Sequence, residues 1–189
     1  MGIVAVLLAV LGIVIVWTSQ SDSNEPGDVA ADSVNDFCSL VDVSSLSELA
    51  LVEDERVDNG DPDATPPRFI CEITLMSDEE TGNYTVVTLI VDVRVEASLG
   101  AAREAYAGAI DFEESEGRSV SETGTTGDEA AFVTVAQTDE TQQYRVHLRD
   151  SNAVGFVSLV VSGAVMEADD ARHVLITVGQ GTLAVMGSE

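Results

Sequence analysis

From Arg68 onward the chain alternates. Phe69, Cys71, Ile73 and Leu75 stand against Ile70, Glu72 and Thr74, the period of two that marks a half-buried strand with Cys71 on its core side. The run "NYTVVTLIVDVRVEA" repeats the pattern, with Val87, Leu89, Val91, Val93 and Val95 on one face and Thr88, Asp92, Arg94 and Glu96 on the other. Between the two, "SDEETGN" reads as a hairpin connection. Three more strand-like runs follow, "EAAFVTVAQ", "QQYRVHLR" and "AVGFVSLVVSG", and "DSN" joins the last two as an antiparallel hairpin. The runs "YTVVTLIV" and "VGFVSLVV" are apolar on both faces, as central strands are.

Helical spacing interrupts this pattern in three places. "DSVNDFCSLVDVSSLSELA" offers Ser, Asp and Asn caps ahead of Leu46, Leu49 and Ala50 and predicts one or two short helices. In "SLGAAREAYAGAIDFEES", Ala102, Ala105, Tyr106, Ala109 and Ile110 form an apolar stripe behind a Ser98 cap. Arg103, Glu104, Glu113 and Glu114 are assigned to the exposed face. "EADDARHVLITVGQGTLAVM" carries Val174, Leu175, Val178 and Leu183 at near-helical spacing and is read as a helix, although Gly179, Gly181 and its β-branched residues weaken the pattern. "LVEDERVDNGDPDATPPR", with its acids, Asn-Gly and three prolines, reads as an exposed loop, and "GRSVSETGTTG" as a break. This order, with its hairpin-length connections, predicts an α+β fold: an antiparallel β-sheet packed with helices over residues 32–189.

Ahead of that domain lies "GIVAVLLAVLGIVIVW", residues 2–17, without a charge. As a helix it reaches about 24 Å, against a hydrocarbon core of ~30 Å. Being apolar all round, and followed by polar and acidic "TSQSDSNEPGDVAADS", it reads as a membrane segment at 1–19 feeding a flexible acidic linker at 20–31. Neither a basic n-region nor a small-x-small cleavage site accompanies it, which favours an uncleaved signal-anchor over a secreted protein. Thirteen acids among residues 22–63 and no base before Arg56 place the bulk of the chain outside the cytoplasm. Two cysteines, Cys38 and Cys71, suit that compartment as a disulfide, the alternative being two unrelated buried thiols.

The 189 residues carry 34 acids against 8 bases, all of them Arg, for a net charge of -26. Such a field repels nucleic acid and anionic lipid headgroups, so a nucleic-acid partner is excluded.

The residues "DFCSLVDVSSLSEL", then "RFICEITL", then "TGDEAAFVTV" occur in an order that resembles the actinobacterial exported lipoproteins called domain of unknown function 3558, over roughly residues 32–186. The resemblance implies pairing of Cys38 with Cys71. It also implies an antiparallel sheet with helices, distantly like the extracellular sensor domains of actinobacterial receptor kinases. Members often carry a lipobox Cys, which this chain lacks.

Candidate site residues are few. In "YRVHLR", Tyr144, Val146 and Leu148 take one face, leaving Arg145, His147 and Arg149 as a cationic stripe. That stripe would either hold an anion or pair with Asp92, Glu96 or other neighbouring acids. Asp128, after Gly127 and before a strand, is a candidate for a ligand-facing turn or for turn chemistry alone. His147 and His173 lack metal-ligand spacing, residues 53–63 lack a calcium-loop pattern, and no nucleophile or phosphate-loop motif is present, so neither metal nor cofactor is expected. "NYT" at Asn83 matches a glycosylation pattern by chance. The sequence thus points to a membrane-tethered extracytoplasmic domain that binds an envelope ligand or protein. A cofactor-free envelope enzyme using a carboxylate pair and a purely structural envelope component are the alternatives.

Overall fold

A computed structural model describes residues 24–49, 51–77, 84–123, 129–138 and 140–187. Seven strands form one antiparallel sheet: β1 (Leu51–Asp58), β2 (Arg68–Ser77), β3 (Val86–Val95), β4 (Val120–Glu122), β5 (Glu129–Gln137), β6 (Thr141–Asp150) and β7 (Ala153–Ser162). Their order is β1-β2-β3-β7-β6-β5-β4. Two meanders therefore meet where β3 pairs with β7, from Val86↔Ser162 to Val95↔Ala153. These are the two runs apolar on both faces, and they lie side by side at the centre. Helix α1 (Leu99–Ser115) links the meanders and helix α2 (Ala168–Met186) ends the fold.

One face of the sheet carries the main core. Cys71, Ile73, Leu75, Val87, Leu89, Val91, Val146 and Leu159 are all buried there, and α2 packs against β5, β6 and β7. Leu175, Val178 and Leu183 supply the helix side of the contact. Gly179 sits at that crossing, where an added Cβ would lie 2.0 Å from Leu148 Cδ1 and force that side chain to move. The glycine that weakens helix propensity is thus what lets α2 approach the sheet. Tyr144, fully buried, donates its hydroxyl hydrogen to the Met166 carbonyl at 2.9 Å.

The N-terminal part of the domain is made of short 3-10 turns, including Phe37–Leu40 and Ser44–Leu49, in place of α-helices. Cys38 is bonded to Cys71 (Cα–Cα 5.1 Å), tying the first of these turns to β2.

Three expectations need correction. The stretch 51–68 is not all loop: residues 51–58 form edge strand β1. Its register slips between Glu53 and Glu55, so no alternation survives to be read, and its acids guard an exposed edge. Arg56 anchors it, its Nη1 donating to the carbonyls of Cys38 and Val41 while Glu53 grips the rest of the guanidinium at 2.8 and 2.9 Å. The break at 117–127 contains the short strand β4.

The third correction concerns the linker. Residues 25–29 are docked onto the domain: Val29 is buried, and its backbone N–H and C=O both bond the side-chain amide of Asn152 at 3.0 Å. The Glu25 carbonyl accepts from the Leu99 amide at the start of α1. A short apolar residue amid acids gave no sign of this. Residues 2–17, Asn83 and Asp128 lie outside the described residues. Among the described residues no helix is long and apolar enough to cross a membrane.

Candidate functional site

Helix α1 lies on the opposite face of the sheet, against β4, β6 and β7. Ser98 caps it in extended backbone, its Oγ accepting from the Ala101 amide at 3.2 Å. Positions 102, 106, 109 and 113 share a face at helical spacing. Ala102 and Tyr106 are buried, and so is Glu113, at 0% exposure. The assignment of Glu113 to the solvent face is therefore wrong. An acid in that position must find bases beneath it.

It does so in the cationic stripe. Arg145 and His147 sit two apart on β6, on the face that α1 covers. Glu113 Oε1 accepts from Arg145 Nη1 at 2.7 Å and lies 2.9 Å from His147 Nε2. Its second oxygen accepts from Arg118 Nη1 at 2.5 Å, Arg118 following just after the helix. The Arg145 guanidinium also rests 4.6 Å above the Phe156 ring, a cation–π contact.

Charges on the neighbouring strands complete the wall. Arg68 and Arg94 are directly opposed across β2 and β3, an arrangement that like charges disfavour. Asp92 neutralises Arg68 through a two-pronged pair at 2.9 and 2.5 Å. The Arg94 side chain has no hydrogen-bond or ion-pair partner among the described residues, and Arg145 Nε is buried without one.

These side chains surround a cleft of about 380 Å³ beside α1. Arg68, Arg94 and Arg145 face Asp92 and Glu113 there, with His147 below, while Tyr106, Ala109, Phe112 and Phe156 are among its apolar walls. The opposite flank of α1 holds a groove of about 350 Å³ lined by Asp111, Glu114, Glu122 and Glu129 against Arg103. The two sides of the helix thus carry opposite sign.

Protonation follows from this packing. Burial alone would raise the Glu113 carboxyl, but the hydrogen bonds from Arg118, His147 and Arg145 together hold it below the usual carboxylate range. Burial pushes the His147 imidazole down, Arg145 adds to that, and the bond to Glu113 offsets only part of it. His147 is therefore neutral at pH 7 and donates from Nε2. Tyr106 is pushed up to about 12 by burial, then by Glu129 and Glu122, against Arg149.

Of the sequence candidates, the structure brings Arg145 and His147 into the cleft. Arg149 lies instead beside Glu129, its Nε donating to Oε2 at 2.6 Å and its Nη1 to the Ser151 carbonyl at 3.2 Å. Asp92 pairs with Arg68 rather than with the stripe. Sequence reading missed Arg68, Arg94, Glu113 and the aromatic walls. Among the described residues no group of three or more His, Cys, Asp or Glu is placed to hold a metal.

No family model matches the chain, and no curated relative matches it. Among solved structures it is similar to the extracellular domain of PknH from Mycobacterium tuberculosis, with a TM-score of 0.52 at 12% identity, over 85% of this chain and 99% of that one. At that identity the likeness speaks for the fold.

Proposed function

We propose that the chain is a membrane-tethered extracytoplasmic domain of the bacterial cell envelope that binds a small ligand in the cleft beside α1. The observation that carries the reading is a walled cleft with three guanidinium groups against two carboxylates in a chain of net charge -26. A local reversal of sign on that scale, in a concave site with aromatic walls, fits ligand capture. The extracytoplasmic placement draws on the fold shared with the PknH extracellular domain, on the disulfide and on the resemblance to domain of unknown function 3558. The tether draws on residues 2–17.

The same geometry weighs against a carboxylate-pair enzyme. General acid catalysis at neutral pH calls for a carboxyl raised well above its usual range, whereas Glu113 is held below it and Asp92 is gripped by Arg68. The test is a cleft-filling variant. Ala109→Trp, on the cleft side of α1, is expected to abolish retention of a small molecule by the exported full chain without altering its circular dichroism. Equal retention by variant and wild type would defeat the reading.

A further inference from the structure

We propose that the ligand of this cleft is a small organic anion with a single charged group, a carboxylate or a phosphate, joined to an apolar, ring-sized body, and that Arg94 receives that group. The inference rests on the ligand-binding reading above and names the chemical class.

The charge accounting selects the anion. Both acids of the cleft are spent: Asp92 on Arg68, and Glu113 on Arg145 and Arg118. Arg94 is left with its like-charged cross-strand neighbour, Arg68, and no acid of its own among the described residues. A guanidinium in this position presents a planar fork that matches a carboxylate or phosphate, and the charge-assisted bonds formed there are roughly twice as strong as neutral ones. The acidic groove across α1 offers an anion nothing.

The size and lining select the rest of the molecule. A volume near 380 Å³ is at the small end of the range of ~300–1,000 Å³ for ligand sites. Tyr106, Ala109, Phe112 and Phe156 give the body an apolar bed, on which an anion without a body, such as inorganic phosphate, would gain nothing. The chain's overall charge of -26 opposes polyanions at long range, which limits the ligand to one charged group.

The test titrates the full chain with benzoate, phenyl phosphate, inorganic phosphate and neutral benzyl alcohol, read by ligand-observed NMR and calorimetry. Benzoate or phenyl phosphate is expected to bind at least about tenfold more tightly than benzyl alcohol and inorganic phosphate, a difference of about 1.4 kcal/mol. Which of the two wins separates a carboxylate from a phosphate source. Arg94→Gln is expected to remove the advantage of the anions and leave benzyl alcohol unchanged, while Arg103→Gln, on the far flank of α1, changes neither.

Equal or tighter binding of benzyl alcohol would overturn the anion class and leave the ligand-binding reading standing. Anion binding that survives Arg94→Gln would overturn the assignment of Arg94. Inorganic phosphate matching the organic anions would mark an unspecific cationic patch and overturn the amphipathic ligand. Failure of every probe would overturn the class, and the Ala109→Trp retention experiment decides separately on the ligand-binding reading.

Discussion

Glu113 on α1 and Arg145 on β6 form a 2.7 Å ion pair in which the carboxylate is wholly buried. With His147 and Arg118 on the same carboxylate, it fastens the C-terminal turn of the helix to the sheet and fixes one wall of the cleft. Removing one partner of such a pair strands the other charges. Glu113→Ala is expected to destabilise the fold by about 2–4 kcal/mol, since Arg145 and Arg118 keep some access to water. Urea unfolding measures it, and a loss below about 0.5 kcal/mol, the scale of a neutral surface change, would contradict the account.

Acid should weaken the fold in two stages. His147 binds its proton less readily when folded than at its ordinary value of 6.5, so the unfolded chain takes up more protons as pH falls below 6.5 and stability declines. Glu113, lowered from 4.5, adds a second decline as pH falls below 4.5 toward its folded value. Above 6.5 neither contributes a slope. Unfolding free energies measured from pH 8 down to about pH 3 should show both, and His147→Gln should remove the first alone. A stability that rises on acidification from pH 7 to 5 would contradict this.

Gly155 on β7 lines the cleft and sits hard against β3, where an added Cβ would lie 2.0 Å from the Asp92 carbonyl oxygen. That neighbour is backbone and cannot swing aside. Gly155→Ala is expected to lower stability by about 1–3 kcal/mol through strand displacement, read as a drop in Tm.

Asn152 holds the N-terminal segment through bonds to both backbone groups of Val29, with a further one to the Glu96 carbonyl at 3.0 Å. Asn152→Ala is expected to free residues 24–31 first, seen as protease cleavage there ahead of global unfolding. Protection equal to wild type would show that burial of Val29 alone suffices.

The central alternation, the Ser98 cap and the outer bounds of α2 were readable because packing repeats one instruction at every second or fourth residue. Edge strand β1 was not, because an edge has one paired side and its bulge erases the period. Glu113 was half-legible: the spacing 102, 106, 109, 113 puts it on the buried face, but the carboxylate itself argues for water until Arg145 and His147 are known to lie opposite. Arg68, Asp92 and Arg94 stand on the polar face of their strands, and only the pairing of β3 with β7 brings them alongside Arg145. No local pattern encodes that pairing.

The Cys38–Cys71 bond closes a segment with a sequence separation of 33. In the chain-entropy picture it contributes about 3–4 kcal/mol, mainly by restricting the unfolded chain. The Cys38→Ala/Cys71→Ala variant should unfold at correspondingly lower urea, and a reductant should shift the wild type to meet it. Unchanged midpoints in both would contradict the assignment.

The cleft as a ligand site is tested most directly by a native mass spectrum of the full chain, exported, purified without reductant and transferred gently from detergent. The expected spectrum shows a mass two hydrogens lower than the reduced chain and a retained small molecule that Ala109→Trp no longer holds. A disulfide-bonded chain carrying no small molecule, or carrying the same one in the variant, would contradict the account.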